Sequence, residues 1–274
     1  MGNIDIILRQ AKNKLKCAGI NPKDAEFLLS SIMNCSVSEL YAKKDINEKD
    51  IEKFDKLIEK RLKHYSIDRL IGYTEFLGIK IPYNVHTLSP RQETEIMTDE
   101  IIKKIQAKGK NLDVLDLCTG SGCIGLAIAK NTDAKVIMSD ISVDALDCAR
   151  NCAKINDINV AILESNLFDN ITGVFDIIIS NPPYIATSEI DGLEPEVLYD
   201  DPLLALDGGE DGLLFYKRII ALAPIFLKDH GVLYLEIGSN QAEKVVNMLK
   251  NDFGNIVVHK DYAGLDRYIE ANKL

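Results

Sequence analysis

Tryptophan is absent from the 274 residues, and only 6 cysteines and 8 prolines occur. The cysteines are too few and too irregularly spaced for the disulfide framework that small secreted domains use in place of a core. Long apolar runs are missing too. The most extended, Ile219 to Leu227, covers nine residues and is interrupted by Pro224, whereas a membrane-crossing helix needs about 20. Met1 to Lys16 scatters charges among its apolar positions, so no signal-peptide core is expected. These absences predict a reduced, cytoplasmic protein with no membrane partner.

Basic charge is also scarce. Residues 1–90 carry 15 Lys and Arg against 12 Asp and Glu, a net of +3, while residues 91–274 carry 17 against 30, a net of −13. Nucleic-acid affinity rests on neutralising phosphates with Lys and Arg, so stable nucleic-acid binding is not expected. A protein partner, or a small anion held by backbone groups, fits better. Apolar residues at 46% and charged residues at 27% are ordinary globular values, and the length suggests roughly two domains at about 150 residues each.

The first of these reads as helical. Ile4, Ile7, Leu8, Ala11 and Leu15 recur at helical spacing. Asn21-Pro22 predicts an N-cap followed by proline at the first helical position, ahead of Ala25, Leu28, Leu29, Ile32 and Met33. Ser36 with Glu39 has the spacing of a capping box, and Asn47 precedes a stripe of Ile51, Phe54, Ile58 and Leu62. Residues 1–70 thus predict a bundle of about four helices, a recognition module without a catalytic cluster; His64 and His86 lack partners at ligand spacing. Gly72, Gly78, Pro82 and Asn84 punctuate short apolar runs over 71–88, which predicts a linking hairpin.

Residues 89–274 alternate strand and helix. Leu112 to Cys118, Ala134 to Ser139, Asn159 to Leu163, Phe175 to Ser180 and Gly231 to Ile237 are rich in Val, Ile and Leu, with helical patterns at 123–130, 142–154 and 211–228 and two more β-like runs at 255–260 and 266–270. The order predicts an α/β fold with a mostly parallel sheet of about seven strands, covered on both faces. Such sheets bind ligands beyond the carboxyl ends of their strands.

Two strand ends carry chemistry. After the first comes Cys118-Thr119-Gly120-Ser121-Gly122, with Gly125 following, where glycines let backbone approach a ligand ahead of a helix N-terminus. Asp140 closes the second strand, 18 residues beyond Gly122, where a carboxylate accepts from ribose hydroxyls. These features alone do not separate a nicotinamide dinucleotide from another adenosyl cofactor. The fourth strand runs into Asn181-Pro182-Pro183-Tyr184. Its prolines remove two backbone donors and stiffen the loop, directing the Asn181 amide and the Pro182 carbonyl as acceptors for the two hydrogens of an amide or amino group. Tyr184 offers a ring face to a flat substrate. A nicotinamide-dependent dehydrogenase would leave this tetrapeptide without a task.

These residues resemble the class I S-adenosylmethionine-dependent methyltransferases, whose catalytic domain is Rossmann-like. With Arg91 to Glu95, Ala205 to Leu213, Glu236-Ile237-Gly238 with Gln241, and Asp261 to Arg267, nearly the whole chain resembles the release-factor glutamine methyltransferase family (HemK/PrmC). The resemblance implies methylation of the side-chain nitrogen of the glutamine in the Gly-Gly-Gln loop of peptide-chain release factors, by in-line displacement without a metal or covalent enzyme intermediate. It implies that Cys118, Thr119, Gly120, Ser121 and Gly122 wrap the methionine end of S-adenosylmethionine, that Asp140 holds its ribose and that Asn166 and Leu167 flank its adenine. Asn181 would meet cofactor and substrate, with Pro182, Pro183 and Tyr184 completing the glutamine pocket and Asn181, Pro182 and Tyr184 serving catalysis. The chain departs from the family at Cys118, where glycine is frequent, and at Asn166, where aspartate is. A ribosomal-protein glutamine and a nucleic-acid exocyclic amine are the alternative acceptors.

Overall fold

The computed structural model describes residues 2–109 and 111–274; the first residue of the Met1 to Lys16 segment lies outside them. Contacts group the chain into two units, Met1–Tyr73 with Glu194–Asp200, and Thr74–Leu193 with Asp201–Leu274.

In the first unit the apolar stripes become helices Ile4–Cys17, Asp24–Ile32, Val37–Ala42 and Glu48–Arg61. They bury Ile4, Leu8, Leu15, Ala25, Leu28, Leu29, Leu40 and Phe54 in one core. Ser36 accepts from the Glu39 amide while the Glu39 carboxylate accepts from the Ser36 amide, completing the capping box, and Asn47 caps the helix that follows. At Asn21 the outcome differs from the expectation. Its side chain accepts from the Lys23 amide (3.1 Å), but the backbone makes two i→i+3 bonds, Asp24 to Asn21 and Ala25 to Pro22, and the helix starts at Asp24. The dipeptide closes a tight turn ahead of the helix. A short fifth helix, Ile67–Ile71, is capped by Ser66 and ended by Gly72 at φ 90°. Buried Arg61 donates to Asp24 (2.7 Å) and Glu196 (2.6 Å), fixing the 194–200 segment to this unit; burial nevertheless holds the Asp24 carboxyl above its ordinary range.

In the second unit seven strands form one sheet: β1 (Asp113–Leu117), β2 (Lys135–Asp140), β3 (Ala161–Glu164), β4 (Phe175–Ser180), β5 (Leu227–Glu236), β6 (Phe253–Lys260) and β7 (Asp266–Lys273). Their spatial order is β6-β7-β5-β4-β1-β2-β3. The neighbours among β1 to β5 pair in parallel, and β7 runs antiparallel to both its neighbours. Alternate residues bury on opposite faces. Val114, Ile177, Ile179 and Tyr234 join one core, and Leu115, Leu117, Ile178 and Leu235 the other, so the central strands read as continuous apolar runs. Strand β5 begins at Leu227, four residues ahead of the expected Gly231. Helices Gln92–Lys108 and Ala242–Leu249 add to the three expected. The hairpin expected over 71–88 pairs Tyr73–Phe76 with Ile79–Pro82. Leu77 and Gly78, both at positive φ, form its two-residue turn. No helix among the described residues is long and apolar enough to cross a membrane. The strand order reverses at β1, which puts a crevice at the carboxyl ends of β1, β2 and β4.

Candidate functional site

The turn after β1 is built by backbone conformation. Cys118 (φ 57°), Gly120 (φ 54°) and Gly122 (φ 84°) all take left-handed values. Asp116 pins the turn: its Oδ2 accepts from the Thr119 hydroxyl (2.6 Å) and the Gly125 amide (3.0 Å). Its Oδ1 is buried without a hydrogen-bond partner, and burial pushes this carboxyl up to about 7.

The glycines divide by task. A Cβ on Gly122 would lie 2.6 Å from Met138, and one on Gly125 2.5 Å from the same side chain, whereas Gly120 faces open space. Gly122 and Gly125 therefore let the helix Cys123–Asn131 approach β2, and only Gly120 leaves room for a ligand. Asp140 stands opposite, its Oδ2 accepting from the Gly120 amide (2.9 Å) and its Oδ1 from Ser142 (3.0 Å).

A cavity of about 340 Å³ opens here, and its wall includes Cys118, Thr119, Gly120, Ser121, Asp140, Asn166, Leu167, Asn181 and Pro183. The strand-end acid, the glycine turn and the start of the tetrapeptide thus share one space. Gly122, Pro182 and Tyr184 do not line it. Gly122 serves packing, Pro182 is buried, and Tyr184 packs against the core face that holds Leu117 and Ile178. Burial there holds the Tyr184 phenol protonated well beyond its ordinary range. The sequence reading passed over Ile141, Ala145, Phe215 and Arg218, which also line the cavity. Ile141 was findable as the apolar residue next to Asp140; the other three come from helix faces with no local signature. Arg218 donates to Asn166 Oδ1 (3.0 Å), a pairing across 52 positions that no spacing announces.

Prolines are only part of what stiffens the corner Asn181–Tyr184. The Gln241 side chain donates to the carbonyls of Tyr184 (2.9 Å) and Gly212 (3.2 Å) and accepts from the Gly238 amide (2.9 Å). Ile185 pairs with the 206–208 segment in both directions, donating to Leu206 (3.0 Å) and accepting from Gly208 (2.8 Å). A Cβ on Gly208 would meet Tyr184 Cα at 2.7 Å, and one on Gly212 would meet the Tyr184 carbonyl at 2.5 Å. The glycine-rich 208–212 segment is thus the backing plate of the corner. Within it Asp211 accepts from the Leu213 amide (3.0 Å), an Asx turn ahead of the helix Leu214–Phe226.

Behind Asn181 lies a polar chain. Its Nδ2 donates to Thr94 Oγ1 (3.4 Å), and Thr94 Oγ1 donates to Glu236 Oε2 (2.7 Å). Burial raises the Glu236 carboxyl to about 7. Thr94 and Glu236 belonged to matched sequence segments, but their meeting with Asn181 required the fold.

Chemically, the cavity offers a carboxylate for hydroxyl groups, apolar walls for a flat ring, open backbone at Gly120 and a side-chain amide. This donor set fits an adenosyl group. It provides no thiolate nucleophile, since burial pushes the Cys118 thiol up to about 12.

Comparisons with known proteins give the family and the fold. The family models described as PrmC N-terminal domain and Methyltransferase small domain match residues 7–72 and 90–194. The chain is 37% identical to the release factor glutamine methyltransferase of Thermodesulfovibrio yellowstonii, over 97% of this chain and 96% of that protein. It is 36% identical to that of Agrobacterium fabrum, over 94% and 93%. Among solved structures it is similar in fold to a 16S rRNA methyltransferase of T. thermophilus in complex with AdoMet and guanosine, with TM-score 0.54, 19% identity, and 74% and 50% of the two chains covered. A methyltransferase from Pyrococcus furiosus gives TM-score 0.52 and 21% identity, over 72% and 89%.

Proposed function

The chain belongs to the release-factor glutamine methyltransferase family, and from that premise we propose that it methylates the side-chain amide nitrogen of the glutamine in the Gly-Gly-Gln motif of peptide-chain release factors. The methyl donor is S-adenosylmethionine, which when bound supplies an electrophilic methyl group on a sulfonium. The observation that carries this reading is the single cavity whose wall joins Gly120 and Asp140 to Asn181.

In this reading Asp140 accepts from ribose hydroxyls, Ile141 and Leu167 flank the adenine beside Asn166, and Cys118 to Ser121 hold the methionine end through backbone. Asn181 Oδ1 and the Pro182 carbonyl accept the two hydrogens of the substrate amide. A carboxamide nitrogen is a poor nucleophile because its lone pair is delocalised; acceptors on both hydrogens raise its electron density and hold it in place. Position is the larger contribution, since fixing reactants about 3–3.5 Å apart replaces a bimolecular encounter. The Pro182 ring and the Tyr184 side chain lie behind the wall and set the angle of the corner from which the Pro182 carbonyl would accept. Residues 1–70 form the release-factor recognition domain, 71–88 the linker and 89–274 the transfer domain.

The test is mass spectrometry of a purified release factor incubated with the protein and S-adenosylmethionine. A gain of one methyl group on the loop glutamine, lost in Asn181→Ala, is the expected result. Methyl transfer to RNA alone overturns the assignment.

A further inference from the structure

We propose that Glu236 is a positioning residue that, through Thr94, fixes the Asn181 amide with its oxygen turned to the substrate. The inference deepens the reading above and rests on it.

The argument is one of hydrogen-bond direction. A carboxylate only accepts, so the Thr94 hydroxyl must donate its single proton to Glu236 Oε2, at 2.7 Å. The Thr94 oxygen is then left with lone pairs and takes an N–H from Asn181, at 3.4 Å. The second amide N–H of Asn181 has the Glu236 carboxylate beside it. The Asn181 Nδ2 is thus engaged inside the protein, and the acceptor Oδ1 is what remains for a ligand. The flipped amide would set its oxygen against the Thr94 oxygen, whose proton is committed to Glu236, in a buried site where an unpaired polar group is costly. Glu236 has only 3% of its surface exposed, so water does not replace the interaction. The consequence is selectivity: a site that presents an acceptor takes an N–H donor, a carboxamide, and rejects a carboxylate.

Protonating Glu236 removes the constraint, because a carboxylic acid also donates. The groups facing it are Glu93, which is paired with Arg267 (3.4 Å), together with Tyr184, Tyr216 and Cys123. Burial holds the last three protonated to well above neutrality, so around pH 7 the titrating member of the Asn181–Thr94–Glu236 network is Glu236, while Asp116, which titrates in the same range, belongs to the turn after β1.

The experiment compares wild type with Glu236→Gln, Thr94→Val and Thr94→Ser in the full chain, each first checked for an unchanged melting transition. Methyl transfer to a purified release factor is followed against pH, S-adenosylmethionine affinity by calorimetry, and the Asn181 side-chain amide signals by NMR. In Glu236→Gln and Thr94→Val, kcat is expected to fall about 10- to 100-fold, the scale of a misplaced reacting group, while cofactor affinity stays within twofold. Thr94→Ser keeps the hydroxyl and falls less than threefold. The wild-type rate declines as the pH drops through about 7, the Asn181 amide signals shift over the same range, and both responses vanish in Glu236→Gln. A Glu236→Gln enzyme with wild-type kcat, or with the wild-type acid limb intact, overturns the inference. Absence of transfer by wild type, with the NMR titration present, sinks the proposed function and leaves the positioning network standing.

Discussion

Cys118 shows how much a single residue can be decided by its backbone. Its φ of 57° lies in the left-handed region, where a side chain costs about 1–2 kcal/mol and glycine does not. Glycine would suit this position on backbone grounds alone. Cys118→Gly relieves that strain but adds chain entropy to the unfolded state, so stability should change by no more than about 1 kcal/mol. Cys118→Val, similar in volume but β-branched, should lose about 2 kcal/mol. Urea unfolding of the two variants checks this; equal losses would mean that volume, not φ, governs the position. Asn166 teaches a related point. Its amide oxygen accepts from Arg218, so the position serves as an acceptor toward that guanidinium.

At the scale of elements, two glycine-bearing loops that look alike in sequence do different work. The turn after β1 leaves open space at Gly120, while Gly208 and Gly212 press on the backbone of Tyr184. Gly208→Ala forces a shift of the corner and should cost about 1–3 kcal/mol, with methyl transfer falling more than cofactor affinity. Gly120→Ala should do the reverse, weakening S-adenosylmethionine binding with a smaller loss of stability. Calorimetry on both variants, set beside their rates, separates them; parallel losses would refute the division of labour. The sequence made the strands and most helices legible because each buries a periodic apolar face. It placed Asn181 at the end of β4 for the same reason. It did not show Gln241 clamping the Tyr184 carbonyl, because that bond joins positions 57 apart, and hydrogen-bond partners at that distance leave no spacing to read. Nor did it show that Tyr184 packs, partly buried, against the core, since an aromatic after two prolines suits either side of the loop.

For the whole molecule, two buried carboxyls set the response to pH. Burial raises Asp116 and Glu236 to about 7, far above their unfolded values, so the folded state holds protons that the unfolded chain has released. Their contribution to stability is fully present below the unfolded values and is lost as the pH rises through about 7. Asp207 and Asp261, held low by Thr187 and Arg267, act oppositely, and their contribution disappears only in acid. Unfolding free energy should therefore fall by roughly 3 kcal/mol per buried group as the pH rises from about 4 to about 7.5, with the denaturant slope unchanged. Asp116→Asn with Glu236→Gln should flatten the decline; a flat wild-type profile would show that both groups ionise freely in the fold. What the sequence determined alone was everything that depends on local periodicity and on which residue ends a strand: the helical unit, the parallel sheet, the glycine turn, Asp140 and Asn181. The tertiary structure decided which of those residues face one cavity, that Glu236 and Thr94 stand behind Asn181, and that the 208–212 segment braces the corner. Those are contacts between distant positions, and only the packing of both sheet faces brings them within hydrogen-bonding range.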